Sequence, residues 1–184
     1  MKETLKFRTA TVKDAALVAR LGLKTFSQAF CEMTDPADFE AYINHAFAVE
    51  HVTCELRDPK NEFVLAFSKE DPAGYFKLTS GNTHDCVAMS PAIEIVRFYT
   101  LKTFWGKGAG ALLMDECLGN ARQKGFAAVW LSSWKKNDRG NAFYRKQGFE
   151  IAGEKTFAFG KDIQDDYVLV RDTKTHPVET ETGT

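Results

Sequence analysis

A glycine turn in the middle of the chain, Trp105-Gly106-Lys107-Gly108-Ala109-Gly110, most restricts what the sequence can fold into. An apolar extended run, Ile93 to Leu101, leads into it. A helix-periodic stretch from Lys107 to Arg122 follows, with Leu112, Leu113, Cys117 and Leu118 among its apolar positions and Gly125 placed to end it. A second apolar run then spans Ala127 to Leu131. This order predicts strand, turn, helix, strand. Glycine lets the chain turn without a Cβ, and the first amides of a helix have no helical partner, so such a turn can cradle a phosphate. Taken alone, a GxGxG segment also serves as an ordinary turn. A P-loop would place Lys and then Ser or Thr after its glycines, whereas Gly110 is followed by Ala111 and Leu112. A dinucleotide fold would carry its glycine turn after the first strand, and this one follows the fourth.

The flanking segments supply the remaining elements. Leu5 and Phe7 alternate with Lys6 and Arg8 as in a half-buried strand, and an apolar band predicts a helix from Val12 to Ala29. Asp35-Pro36 marks a break, and Asp38 to Glu50 reads as a second helix. Phe63 to Ser68 and Gly74 to Leu78 read as a strand pair joined by a turn in KEDPA, followed by a polar connection over 79–92. Gly140 to Gln147 reads as a short helix, with strands at Phe149 to Phe159 and Tyr167 to Arg171. The pattern predicts an α/β (α+β) fold: a mixed sheet of about seven strands with about four helices. One domain is expected over residues 1–172, and TKTHPVETETGT, 173–184, has almost nothing to bury and reads as a disordered tail.

Composition narrows the function classes. At 184 residues and 44% hydrophobic, the chain can bury a real core, while a net charge of -1 supplies no general field for nucleic acid or a membrane surface. Cys31, Cys54, Cys86 and Cys117 are scattered without a CxxC pair, as expected of free thiols in a reducing compartment. The start of the sequence lacks an apolar signal core and no run reaches membrane-spanning length, so a cytoplasmic location is expected. His45, His51 and His84 show no metal-ligand spacing, and no metal is expected.

On the segment from Trp105 to Gly110 the chain resembles the GNAT superfamily of N-acetyltransferases, whose phosphate-binding motif is Gln or Arg, two residues, Gly, one residue, then Gly or Ala. The departure is Trp105 at the Gln or Arg position. Within the superfamily, RFYTLKTFWGKGAG, VWLSSWKKNDRGNAFYRKQGFEIAGEKTFAFG and QDDYVLVRD are similar to PaiA-like polyamine acetyltransferases. The resemblance covers roughly residues 5–171 and implies an acyl-CoA N-acyltransferase fold in which the fourth and fifth strands splay apart. It implies acetyl-CoA as cosubstrate, with Lys107, Gly108, Ala109, Gly110 and Ala111 around the pyrophosphate. Backbone groups of Phe98, Tyr99, Thr100 and Leu101 would pair with the pantetheine arm, and an amide near Tyr99 or Thr100 would polarise the thioester oxygen. Asn137 would hold the arm, and Tyr144 in NAFYRKQGF would protonate the departing sulfur. Read from residue type alone, Asn137 suits a turn and Tyr144 suits packing beside Phe143 and Phe149.

Glu94, between Ile93 and Ile95, is the candidate acceptor of the amine's proton; a solvated strand-start carboxylate fits its position equally, and Arg97 is a candidate partner. Glu32, Asp35, Asp38 and Glu40 fall in the interhelical region that the resemblance puts beside the acceptor cleft, although Asp35 and Asp38 also suit helix starts. No cysteine sits in an acyl-enzyme motif, which favours direct attack by the amine. The expected activity is acetylation of a small-molecule amine such as a polyamine. The alternatives are a peptide or protein amine as acceptor, and a non-catalytic acyl-CoA sensor. Small domains of this kind often pair as homodimers, although no stretch identifies an interface.

Overall fold

The β2 segment Asn61–Ser68 carries the run FVLAF, apolar on both faces, and such a strand must be covered on both sides. The computed structural model, which describes residues 4–174, places it inside a seven-stranded sheet of order β1-β2-β3-β4-β5-β7-β6. The other strands are β1 Lys6–Thr9, β3 Asp71–Thr79, β4 Ala92–Thr100, β5 Ala128–Trp134, β6 Glu150–Phe159 and β7 Asp162–Asp172. All neighbours run antiparallel except β4 and β5, which are parallel. Helices α1 (Ala15–Phe30), α2 (Pro36–Ala46) and α3 (Val49–Arg57) precede β2; α4 (Ala109–Gln123) links β4 to β5, and α5 (Asp138–Lys146) follows β5.

Phe63, Leu65 and Tyr75 face α1 and α3, packing with Val18, Leu21 and Val52. Val64, Ala66, Phe76 and Leu78 face the opposite way, onto Leu113, Met114, Cys117 and Ala121 of α4. Along β4 the alternation breaks: the register passes from Lys77↔Arg97 to Leu78↔Ile95, leaving Val96 as a bulge. Ile93 and Ile95 pack towards α4, and the extra residue turns Arg97 to the α3 face while Phe98 returns to the α4 core. An unbulged strand would drive the Arg97 guanidinium into that apolar core.

On the α3 face Arg97 meets Glu55. Its Nη1 donates to Glu55 Oε2 at 2.7 Å, Lys77 Nζ donates to Oε1 at 2.6 Å, and Arg97 Nη2 donates to the Ala46 carbonyl at 3.1 Å. Burial pushes the Glu55 carboxyl up, but Arg97 and Lys77 outweigh it and hold the group below the usual range. The expected pairing of Arg97 with Glu94 is therefore replaced by one with Glu55.

The same contact explains the main difference from the expected elements. The helix expected over Asp38 to Glu50 is broken at Phe47, which is buried with an extended Ala48 after it, and the carbonyl of Ala46 goes to Arg97. Three α-helices thus lie between β1 and β2 rather than two, and the described residues contain five in all rather than about four. The turn expected across KEDPA is tighter than that: Ser68 pairs with Asp71, and Lys69 takes a φ of 55° in a two-residue reversal. The final strand extends back to Asp162 because β6 and β7 form one long hairpin. All four cysteines are unpaired, and no helix among the described residues is long and apolar enough to cross a membrane. Thr173 lies buried against β5's approach, its hydroxyl donating to the Phe126 carbonyl at 2.8 Å, while 175–184 of the expected tail lie outside the described residues.

Replacing Glu55 by Gln leaves Lys77 and Arg97 buried against an uncharged partner, and urea unfolding is expected to show a loss of about 3 kcal/mol or more. Because the carboxyl is held low in the fold, its contribution is present above the unfolded carboxylate range and fades as pH falls through the folded value. The gap between wild type and Glu55→Gln should narrow in acid.

Candidate active site

Beyond Glu94 the two parallel strands part. The β4–β5 ladder consists of Ala92↔Ala128, Ile93↔Val129 and Glu94↔Trp130 and then ends, so the C-terminal half of β4 presents an edge without a β5 partner. A cavity of about 430 Å³ opens there, bordered by Phe98, Tyr99 and Thr100 of β4, by Ser132 and Ser133 of β5, and by the glycine turn. The Ser133 hydroxyl is buried without a partner.

The turn has a backbone geometry that can seat an anion. Gly106 and Gly108 take φ of 72° and 86°, values that an L side chain rarely adopts. Gly108 caps α4, whose ladder begins with the Leu112 amide bonded to the Gly108 carbonyl at 3.2 Å. The amides of Ala109, Gly110 and Ala111 are therefore left without helical acceptors, at the positive end of the helix dipole. Trp105 stands where the resembled motif carries Gln or Arg, and it is held in a specific way. Its indole Nε1 donates to the Thr100 carbonyl at 3.0 Å, and the Arg139 guanidinium stacks 3.0 Å from its ring centroid. A cation thus returns to the mouth of the turn from α5, and burial lowers the Arg139 pKa from its ordinary value.

Asn137 caps α5 by accepting from the Gly140 amide at 3.1 Å, and it borders the same cavity. Tyr144 also borders it, half-buried among Phe98, Phe143 and Phe149 with centroids 6.3, 5.4 and 5.8 Å away. Burial pushes its phenol up, so the hydroxyl is a proton donor at neutral pH.

A second cavity, about 240 Å³, adjoins the first; Phe30, Ile95, Val96, Tyr99, Ser132 and Trp134 border both. Its far walls are aromatic, from Phe26, Tyr42, Phe157 and Phe159, and its carboxylates are Glu94 and Asp166. Glu94 Oε2 accepts from Asn82 Nδ2 at 2.5 Å. Asp166 is 6% exposed, and its Oδ1 has no hydrogen-bond partner. Burial raises its pKa, against opposing pulls from Lys155 and a Ser132 hydrogen bond.

The residues singled out from the sequence divide as follows. Phe98, Tyr99, Thr100, Gly108, Gly110, Ala111, Asn137 and Tyr144 border the larger cavity, and Glu94 borders the smaller. Lys107 and Ala109 belong to the turn and Leu101 precedes it, and none of the three lines the cavity; the Leu101 amide is bonded to the Ala73 carbonyl at 2.8 Å. The acidic residues between the helices lie elsewhere: Asp35 caps α2, and Asp38 accepts from the Lys161 amide at 3.1 Å. Neither Arg139 nor Asp166 was evident from spacing. A Trp in the place of a charged motif residue was the one signal that a cation must come from elsewhere.

Because an ionised Asp166 costs the fold, its contribution to stability is greatest when protonated and is lost as pH rises through its raised folded value. Asp166→Asn should therefore melt at a higher temperature than wild type near neutrality, and the difference should vanish in acid.

Comparison with known proteins agrees with this geometry. The family model described as Acetyltransferase (GNAT) family matches residues 25–149. An uncharacterized N-acetyltransferase of Mycobacterium tuberculosis is 31% identical over 159 residues, covering 86% of this chain and 97% of its own. One from Lactobacillus delbrueckii subsp. lactis is 24% identical over 165 residues, 90% of this chain and 95% of its own. Among solved structures, the PaiA N-acetyltransferase of Thermoplasma acidophilum in complex with coenzyme A superposes with a TM-score of 0.73 at 17% identity, over 92% of this chain and 99% of that one, a likeness of fold. With its matched motif region, its parted parallel strands and its glycine turn, the chain belongs to the GNAT family of acetyltransferases.

Proposed function

We propose that the chain transfers the acetyl group of acetyl-CoA to the primary amine of a small molecule, a polyamine or an amine of similar size, by direct attack on the thioester. The observation that carries this reading is the meeting of two cavities at the parted strands, one beside the glycine turn and one holding carboxylates among aromatic rings. The residues fit acetyl-CoA: the free amides of Gly110 and Ala111 and the Arg139 guanidinium suit a pyrophosphate, and the open edge of β4 suits an amide-bearing arm.

The cosubstrate supplies an activated acyl carbon. The protein aligns the amine with it, since two reactants held together escape much of the entropic cost of meeting. Glu94 takes the proton that the attacking ammonium must shed, directly or through water. The amine nitrogen bonds the carbonyl carbon, the carbon–sulfur bond breaks, the Tyr144 hydroxyl gives its proton to the leaving thiolate, and the second proton that the nitrogen sheds on becoming an amide returns through water to the Tyr144 phenolate. Direct attack is supported by the cysteines: among the described residues none borders either cavity, and Cys117 is buried on the core face of α4, its thiol pushed up by desolvation. A small acceptor suits a chamber of about 240 Å³ better than a peptide does. A cytoplasmic location goes with this reading, supported by four unpaired cysteines.

Thiol release from acetyl-CoA, followed with spermidine, short amines, amino acids and peptides, tests the proposal; turnover with peptides alone would redirect it to protein acceptors. Tyr144→Phe should lower kcat by about a hundredfold or more with coenzyme A affinity retained. Arg139→Ala should behave differently, raising KM for acetyl-CoA about tenfold while kcat holds, as expected when one charge-assisted phosphate contact is removed.

A further inference from the structure

The second cavity contains a buried charge that the acyl-transfer step leaves unused. Asp166 is 6% exposed, and its Oδ1 is buried with no partner in a chamber walled largely by aromatic rings, with Glu94, Lys155 and Gln164 among its polar lining. A buried carboxylate oxygen without a donor costs the fold, and such an orphan marks a place where a donor from outside is accommodated. The available protein groups do not complete it. Lys155 faces Asp166 across the β6–β7 ladder and acts on it electrostatically, and Ser132 engages the carboxyl, yet Oδ1 stays unpaired.

Register fixes the level at which Asp166 stands along β5. Glu94 pairs with Trp130 on one side of β5, Asp166 pairs with Trp134 on the other, and Ser132, which borders both cavities, lies midway. At roughly 3.3 Å per residue, the level of Asp166 is about 7 Å along β5 from that of Ser132. Glu94 already accepts from Asn82. The walls between are Trp134, Phe157, Phe159 and Tyr42, and aromatic faces attract a cation as well as a hydrocarbon chain.

We propose that Asp166 is the specificity-determining residue of the acceptor chamber, receiving the second ammonium group of a short diamine while the first nitrogen reaches the junction at Ser132. A spacer of about three to five methylenes bridges the interval set by the strand rise. This rests on the acyl-transfer reading of the site and narrows its substrate class. Glu94 and Asp166 then have separate tasks, one towards the reacting nitrogen and one towards the distal charge.

Calorimetric titration of putrescine and n-butylamine into coenzyme A-saturated protein tests the assignment, with steady-state thiol release run in parallel. Wild type should prefer putrescine, and in Asp166→Asn that preference should fall by about 10- to 100-fold, the range for a hydrogen bond to a charged group. Coenzyme A affinity and the thermal melt of the variant show that it is folded. Equal affinity of wild type for the two amines, or equal loss of both in Asp166→Asn, overturns the proposal. So does tighter binding of β-alanine that disappears in Lys155→Met, because the chamber would then read a carboxylate. Asp166-dependent putrescine binding without thiol release would sink the acyl-transfer reading and leave the diamine site standing.

Discussion

The hydrogen bonds that β4 and β5 do not make organise the rest of the molecule. Three ladder pairs join the strands, and beyond Glu94 and Trp130 their edges diverge. Unpaired strand edges are costly to bury and prone to recruit another chain, so an edge opened inside the sheet is one that the amides of another molecule can fill. The bulge at Val96 lies at that point of divergence. One added residue both changes the face of every later side chain on β4 and leaves Phe98, Tyr99 and Thr100 bordering the gap.

That change of face has to be stabilised, because it buries a guanidinium. Glu55 of α3 accepts from both Arg97 and Lys77, and Arg97 also takes the Ala46 carbonyl, so the bulged strand, its neighbour β3 and the α2–α3 corner are held by one carboxylate. The corner in turn sets Phe47 and Tyr42 among the rings around Phe26. The aromatic wall of the smaller cavity is therefore coupled to the bulge through a buried ion cluster rather than through the residues that line it.

Much of this was legible in the sequence where local chemistry decides. The glycines between two apolar runs marked a sharp turn, where Gly106 and Gly108 indeed take positive φ, and the apolar run Phe63 to Ser68 marked a strand, which the sheet places inside β2. What escaped was decided at long range. The break between α2 and α3 is dictated by Arg97, about 50 residues away, and no local signal near Phe47 announces it. Glu55 falls between the second helix and the strand pair expected from the sequence, where nothing local marks it as the partner of Arg97 and Lys77. Arg139 and Trp105 are 34 residues apart and form one unit only after α5 is laid against the turn. Asp166 sits in QDDYVLV, where alternation alone does not say which of two neighbouring aspartates faces inward; the pairing with Trp134 does.

The short β4–β5 ladder also has a mechanical meaning. The sheet consists of two stiff plates, β1 to β4 and β5 to β7, sewn together by three residue pairs at one end and bridged by α4, which touches β3, β4 and β5. Such a joint is compliant at its open end and rigid at its closed one. A molecule lying in the gap acts as a strut, and its length and thickness set the angle between the plates. The width of the smaller cavity, whose walls come from both plates, then depends on what fills the neighbouring one, so loading one side of the seam shapes the other without any moving lid.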